Sequence, residues 1–481
     1  MVGDKPNILI VFIDSLRADH AGCYGYKRPT TPYLDRLATE GCLFETCITA
    51  APFSPASYAS VFSNLYPHQH GVNGDTIRMW PDHWKRLPER MKEHGYFTFG
   101  VSNNSFVSAE MNSTRGFDSF VGPRTPWLTR QFGRVYRNVT RVAGEHIADL
   151  FDSHRILAES KGDSMSAIRR AADFANQAAD RPFFGLVILM DPHALYHPAR
   201  THFVRDRAAA RSFLKRINGR QMWAKVMAGV KTLSDADLQT AFDFYDGETH
   251  HADQALGTLV DSLQRRNLLD NTLLVVAADH GESFGEQGVW GHGFTLTDCQ
   301  TRVPLILRHP GYFPAGSRSN ALVQLHDVHD TFLSLAADGR PCVGEHPHCL
   351  TQAVDPHWPG RDAAFSEFPV QTGTLAFMSR LNPTADWGNW ARPMWSVRTP
   401  KWRYIQYDGG GEELFDLHCD PGERTSVHEC HAEVCNELHR RLAAHRTDSV
   451  SSVERAAVEE PAINAAVLDR LRALGYMDNA T

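Results

Sequence analysis

The sequence lacks any apolar run long enough to cross a membrane, any excess of basic charge and any internal repeat, and it is poor in cysteine for its length. A spanning helix takes roughly 20 apolar residues. The early run Ile8–Ile13 is six residues long and lacks the flanks of a signal peptide, and the later run Phe183–Met190 is also too short. No integral membrane segment is therefore expected, and the chain is read as a soluble, cytoplasmic protein. Lys and Arg total 49 against 56 Asp and Glu, a net charge of -7, so a nucleic-acid partner is not expected either. Nine cysteines, an odd number, read as mostly reduced thiols. With 42% hydrophobic and 22% charged residues over 481 positions, disorder is excluded and a large core is affordable.

What is present is a set of short, continuous apolar runs. Ile8–Ile13 ends at Asp14, Phe183–Met190 at Asp191, and Leu273–Ala278 at Asp279. Uninterrupted runs of this kind suit strands buried on both faces of a parallel sheet. Tyr96–Val101 is a further candidate strand. Helices are expected at Leu34–Leu43, with Pro32 near the start, and at Asp246–Gln264. Alternating strands and helices point to an α/β fold with a doubly wound, mostly parallel sheet. Open sheets of this type bind ligands beyond the carboxyl ends of their strands, where the three aspartates would sit.

The texture changes near residue 386, where Trp387, Trp390, Trp395 and Trp402 cluster and Trp402–Gln406 reads as a strand. This divides the chain into a domain over 1–385 and a smaller α+β subdomain over 386–481, with a polar linker at 447–462 and a last helix at Ala465–Leu474. Residues 119–144 hold five arginines and no acid, as either an amphipathic surface helix or subunit contact, or a lid over an anionic substrate. The tryptophans read as core or subunit contact before substrate wall. Two sparse Cys/His groups, Cys419–Cys435 and Cys342–Cys349, match no familiar zinc spacing.

Four motifs carry chemistry. Asp14-Ser15-Leu16-Arg17-Ala18-Asp19 offers a carboxylate for a cation. In Ser54-Pro55-Ala56-Ser57-Tyr58, followed by Val61, Phe62 and Leu65 at helical spacing, Ser54 falls just ahead of a helix N-terminus, which favours an alkoxide or a bound oxyanion. Asp279-His280-Gly281-Glu282, with His292 downstream, is a metal grip. Asp191-Pro192-His193 places a histidine where it can act as an acid or donate to an anionic oxygen, and Asn103, just past a strand, could donate to the same oxygens.

In this order the motifs resemble the sulfatase family of the alkaline phosphatase superfamily. The resemblance extends through Gly25-Tyr26, Thr30-Thr31-Pro32, Leu34-Asp35, Leu65-Tyr66-Pro67-His68, Arg302-Val303-Pro304-Leu305, Glu413-Leu414-Phe415-Asp416-Leu417, Asp420-Pro421-Gly422-Glu423 and Leu474-Gly475-Tyr476. It implies an alkaline-phosphatase-like fold with a catalytic domain over 1–385 and an insertion at about 119–240. It further implies one divalent metal ion held by Asp14, Asp279, His280 and Ser54, with Ser54 as nucleophile. His193 and His292 would be catalytic and, with Tyr58 and Asn103, would contact a small anionic ester substrate. A homo-oligomer is compatible with the resemblance.

Two departures from the family pattern matter. Sulfatases convert Cys or Ser to formylglycine within a Cys/Ser-x-Pro/Ala-x-Arg signature; here Tyr58 stands at the arginine, so formylglycine at residue 54 is not expected. A plain serine favours phosphate or phosphonate esters over sulfate esters. Many sulfatases also pair two aspartates at the first motif and Asp-Asn at the third; here Asp14-Ser15 and Asp279-His280 shift the expected ion from Ca²⁺ or Mg²⁺ toward Mn²⁺ or Zn²⁺. The set is similar to one-metal phosphonate monoester hydrolases and phosphodiesterases. A phosphoryl transferase, a formylglycine-dependent arylsulfatase and a catalytically inactive binding relative are the alternatives.

Overall fold

The computed structural model describes residues 5–72, 80–123, 161–178, 181–197, 200, 202–204, 213–214, 220–342, 347–370 and 372–447. Most of the arginine-rich segment, much of the expected insertion, the linker and the terminal helix lie outside the described residues.

The strands are β1 (Asn7–Ile13), β2 (Cys42–Ile48), β3 (Phe97–Ser102), β4 (Ser119–Val121), β5 (Phe183–Leu189), β6 (Thr272–Ala277), β7 (Ser283–Phe284), β8 (Trp290–Gly291), β9 (Arg302–Val303), β10 (Leu305–Arg308), β11 (Ser317–Gln324), β12 (Ala364–Phe368), β13 (Met394–Arg398), β14 (Trp402–Tyr407) and β15 (Glu412–Asp416). The helices used below are α1 (Pro32–Glu40), α2 (Ser54–Ser63), α3 (Pro67–His70), α4 (Leu87–Glu93), α5 (Ser164–Gln177), α6 (Arg220–Met227), α7 (Asp235–Arg265), α8 (Asp298–Thr301), α9 (Asp327–Asp338), α10 (Thr372–Leu381) and α11 (Ala432–Thr447).

The large sheet runs β11-β2-β10-β6-β1-β5-β3-β4, with β9 added to β2; β10 and β9 pair antiparallel and the remaining neighbours pair parallel. All seven residues of β1 are buried, as are those of β5 and β6, which explains why these strands read as unbroken apolar runs. Side chains of successive strand residues point to opposite faces. Phe183 accordingly packs with Phe99 and, through it, with Phe174 of α5, while Phe184 packs on Phe332 of α9. Helices therefore cover both faces, the doubly wound arrangement the sequence suggested.

Some boundaries shift. The helix expected over Leu34–Leu43 stops at Glu40, because Leu43 belongs to β2, whose pairing with β10 and β11 overrides local helical spacing. The helix expected over Asp246–Gln264 extends to Asp235–Arg265. α1 also gains an unusual cap. Thr31 at its N-cap makes no capping bond, its hydroxyl donating to Asp35 Oδ1 at 3.0 Å; instead Asp253 of α7 accepts the Tyr33 and Leu34 N–H groups at 2.9 and 2.8 Å. Asp253→Ala strands two helix-end donors, and a loss of about 1–2 kcal/mol is expected in chemical denaturation.

The small sheet, β12-β13-β14-β15, is antiparallel and carries α11 on one side. It begins at Ala364, N-terminal to the change of texture at 386. β12 is seated on the main body: the Glu367 N–H donates to Ala50 O at 2.9 Å and Ser366 Oγ to Thr49 O at 2.6 Å. Phe53 and Ala56 of the α2 start share a cluster with Phe368, Met394, Ile405, Phe415 and Trp387, so Trp387 is core. Trp390 packs at the edge of that cluster and donates to Met227 O, and Trp395 and Trp402 pack beside α11.

Of the nine cysteines, Cys342 and Cys349 are joined in a disulfide, their Cα atoms 6.2 Å apart. This corrects the reading of that pair as thiols: two cysteines seven positions apart have their Cα atoms within bridging reach, which spacing alone does not reveal. Cys419 and Cys430 are exposed and Cys435 is buried in the α11 cluster; no metal-ligating group forms among them within the described residues. No described helix is long and apolar enough to cross a membrane.

Candidate active site

Parallel register brings the site together. β1 lies between β5 and β6, with Ile13 opposite Leu189 and Phe12 opposite Ala277. The residues after each strand then emerge side by side, and the Asp14 N–H donates to Leu189 O at 2.9 Å. Asp14, Asp279 and His280 are fully buried there, and their ligand atoms all lie within 4.8 Å of one another.

Ser54 is the first residue of α2, and Phe53 takes the N-cap position without a capping side chain. Its hydroxyl is thus not spent on the helix. Ser54 Oγ lies 3.4 Å from Asp14 Oδ2, 3.2 Å from His280 Nε2 and 3.2 Å from Asn104 Nδ2. His280 Nδ1 lies 2.8 Å from Gly281 O, an arrangement that puts the ring proton on Nδ1 and leaves the Nε2 lone pair facing Ser54. Gly281 is required here, since a Cβ would come 2.1 Å from Cys299 O.

The electrostatics call for a cation. Burial, with the Asp279 carboxylate beside it, pushes Asp14 up to about 7. Burial pulls His280 down, but Asp279 and Asp14 more than offset it and leave the imidazole raised. Asp279 Oδ2 has no hydrogen-bond partner among the described residues and sits 3.5 Å from His280 Nε2. Two buried carboxylates facing one imidazole, one oxygen unserved, fit a divalent ion.

Two residues expected to contact substrate, Asn103 and Tyr58, have surroundings that the sequence did not show. Asn103 turns its amide against Gly162; its neighbour Asn104 reaches the cluster, donating to Asp14 Oδ2 at 2.7 Å. Asn104 is set by its own turn, its Oδ1 accepting the Phe106 N–H at 2.8 Å. Tyr58 is completely buried, edge-on to Phe12, with its hydroxyl 3.5 Å from Asp14 Oδ2, so it supports a ligand from beneath. Ser57 donates to Asp279 O at 2.8 Å and meets Thr49 Oγ1 at 2.8 Å, so its hydroxyl is already engaged.

His292 and His193 extend the site outward. The His280 and His292 rings lie 4.5 Å apart and those of His292 and His193 4.8 Å. Burial drives both outer histidines well below the usual imidazole value, helped by the neighbouring histidines. Two supports were not legible in the sequence. Glu282 lies 3.3 Å from His292 Nδ1, and burial pushes it up to about 7. Lys161, itself buried, donates to His193 O at 2.6 Å and contacts Glu248 and Asp191 at 3.3 and 3.8 Å. A lone lysine amid small polar residues gives no periodic signal.

The family model described as Sulfatase matches residues 6–338. An arylsulfatase of Clostridium perfringens is 24% identical over 467 residues, covering 88% of this chain and 90% of the relative. A protein solved with its substrate D-glucosamine-2-N,6-O-disulfate superposes with a TM-score of 0.67 at 19% identity, covering 92% of this chain and 99% of that one. The phosphonate monoester hydrolase of Silicibacter pomeroyi gives 0.63 at 20% identity, covering 92% and 95%.

Proposed function

The chain belongs to the sulfatase family, whose members are hydrolases of sulfate or phosphonate esters, and from that premise we propose that it is a metal-dependent ester hydrolase acting through a covalent intermediate on an unmodified Ser54. The observation that carries the reading is the position of Ser54 Oγ. It sits at the N-terminus of α2, within 3.4 Å of Asp14, His280 and Asn104 at once.

Asp14, Asp279 and His280 would hold one divalent ion, with Mn²⁺ or Zn²⁺ suited to the imidazole; such an ion lowers the pKa of a bound hydroxyl and neutralises a non-bridging oxygen. Ser54 Oγ attacks phosphorus or sulfur in line, its proton passing to solvent as the O–P or O–S bond forms. Asn104 Nδ2 and the α2 amides face the oxygens on which charge grows. As the bond to the leaving alcohol breaks, the ring N–H of His193 or His292 would donate a hydrogen bond to the developing charge, with solvent supplying the proton, and Glu282 orients His292. Water then cleaves the Ser54 ester and releases the inorganic anion.

Tyr58 supports the unmodified serine: the signature arginine is replaced by a buried phenol committed to Asp14 and Phe12. A serine sulfate must be hydrolysed at sulfur, whereas a serine phosphate or phosphonate is opened more readily at phosphorus. Phosphonate monoesters and phosphodiesters are therefore the preferred substrate class.

The test is the mass of the Ser54 peptide from protein made in its native host, with kcat/KM on matched aryl phosphonate, aryl phosphodiester and aryl sulfate. A plain serine and faster phosphorus ester cleavage are expected. A peptide lighter by two hydrogens, with faster sulfate release, overturns the reading and assigns a formylglycine sulfatase that tolerates Tyr58.

A further inference from the structure

Apart from the cluster around Ser54, a second group of ligating side chains converges. His68 Nδ1 lies 2.6 Å from Glu367 Oε1, and His445 Nε2 lies 2.9 Å from the same oxygen. With Asp14, Asp279 and His280, these three form one of the two such groups among the described residues. We propose that His68, Glu367 and His445 are a second divalent-cation site, selective for zinc-like ions, that fastens α11 to the catalytic body.

The donor chemistry is two imidazoles and one carboxylate, a set that takes Zn²⁺ with a water in the fourth position. It is softer than the two carboxylates and one imidazole near Ser54. The carboxylate is already oriented: Glu367 Oε2 accepts the His68 backbone N–H at 2.9 Å, which turns Oε1 toward both rings. The His445 ring lies flat on Phe365, with centroids 4.1 Å apart and planes 4° apart, and edge-on to Tyr66 at 4.3 Å. Support of this kind around a ligand is what fixes ring direction in metal sites.

Access is present on one side. The side chains of Glu367 and His445 are 4% and 7% exposed, whereas that of His68 is 22% exposed. An ion can enter past His68 and keep a water there. Ligand atoms around zinc sit about 2.0–2.2 Å from the ion, hence roughly 3–3.5 Å from one another. The present separations need to open by well under about 1 Å, within reach of small side-chain rotations. On binding, two N–H···O hydrogen bonds to Glu367 are exchanged for two N–metal bonds and one O–metal bond. The proton on each ligating nitrogen moves to the other ring nitrogen or to solvent.

The three ligands come from α3, β12 and α11, segments far apart in sequence. An ion joining them ties the small sheet and α11 to α3. It shares no residue with the cluster around Ser54, which assigns it a structural role rather than a part in the reaction.

The test uses the full chain. In an Asp14→Asn/Asp279→Asn variant, which disables the centre near Ser54, one tight equivalent of Zn²⁺ is expected to remain. Adding His445→Gln should remove it. Co²⁺ loaded into the double variant should give visible d–d absorption that His445→Gln abolishes, and saturating Zn²⁺ should raise the thermal midpoint by several degrees only when His445 is present. His445→Gln alone should retain turnover below its midpoint. If His445→Gln does not fold, His68→Gln is read in the same way. Zinc stoichiometry and Co²⁺ spectra unchanged by either substitution overturn the proposal and leave the three side chains as an ion-paired clamp.

Discussion

Ser54→Ala is expected to reduce kcat/KM by on the order of 10⁴-fold or more while leaving the fold intact. The hydroxyl makes no capping bond in α2, so its removal does not unwind the helix. Asn104 keeps its shorter bond to Asp14 at 2.7 Å, so no buried donor is stranded. Secondary structure by circular dichroism should match the parent, with stability within about 1 kcal/mol. The parent, quenched during turnover, should carry one phosphoryl or sulfuryl group on the Ser54 peptide, and the variant none. Surviving activity would displace Ser54 as nucleophile. Ser57 would be a poor substitute, because its hydroxyl is committed to Asp279 O and to Thr49.

Removing the divalent ion is expected to have an effect of similar size. Chelation should abolish turnover, and Mn²⁺ or Zn²⁺ should restore it better than Ca²⁺ or Mg²⁺. Asp14→Asn should lower activity by about 10³-fold or more and lose the ion at that centre. The two carboxylates are buried close together, so in the metal-free protein this substitution removes a repulsion. The thermal midpoint of the metal-free variant should therefore equal or exceed that of the metal-free parent, which separates a lost site from a lost fold. Full activity in the presence of chelator, or unchanged metal content in Asp14→Asn, would contradict the assignment.

Which features were legible depended on how local their cause is. β1, β5 and β6 are buried on both faces, so each wrote itself into the sequence as a continuous apolar run ending at Asp14, Asp191 or Asp279. Leu43 was misplaced because helical spacing is a local preference and strand pairing is not. Asn103 and Asn104 are adjacent in a turn, where no period says which amide faces inward; the Asn104–Phe106 bond decides it. Glu282 and Lys161 act on His292 and on the His193 carbonyl, contacts formed across chain separations that carry no pattern. The same holds for Cys342 with Cys349, and for His68, Glu367 and His445.

By itself, then, the sequence determined the fold class, the family and most of the residues at the candidate centre, because burial period, strand-end chemistry and motif order are all properties of contiguous residues. The tertiary structure decided which side chains meet. Sheet order and register place Asp14 between the ends of β5 and β6, the start of α2 turns Ser54 rather than Ser57 toward them, and the seating of β12 and α11 brings a glutamate and a histidine to His68. These meetings follow from packing a whole sheet and its helices at once, and no window along the chain contains that information.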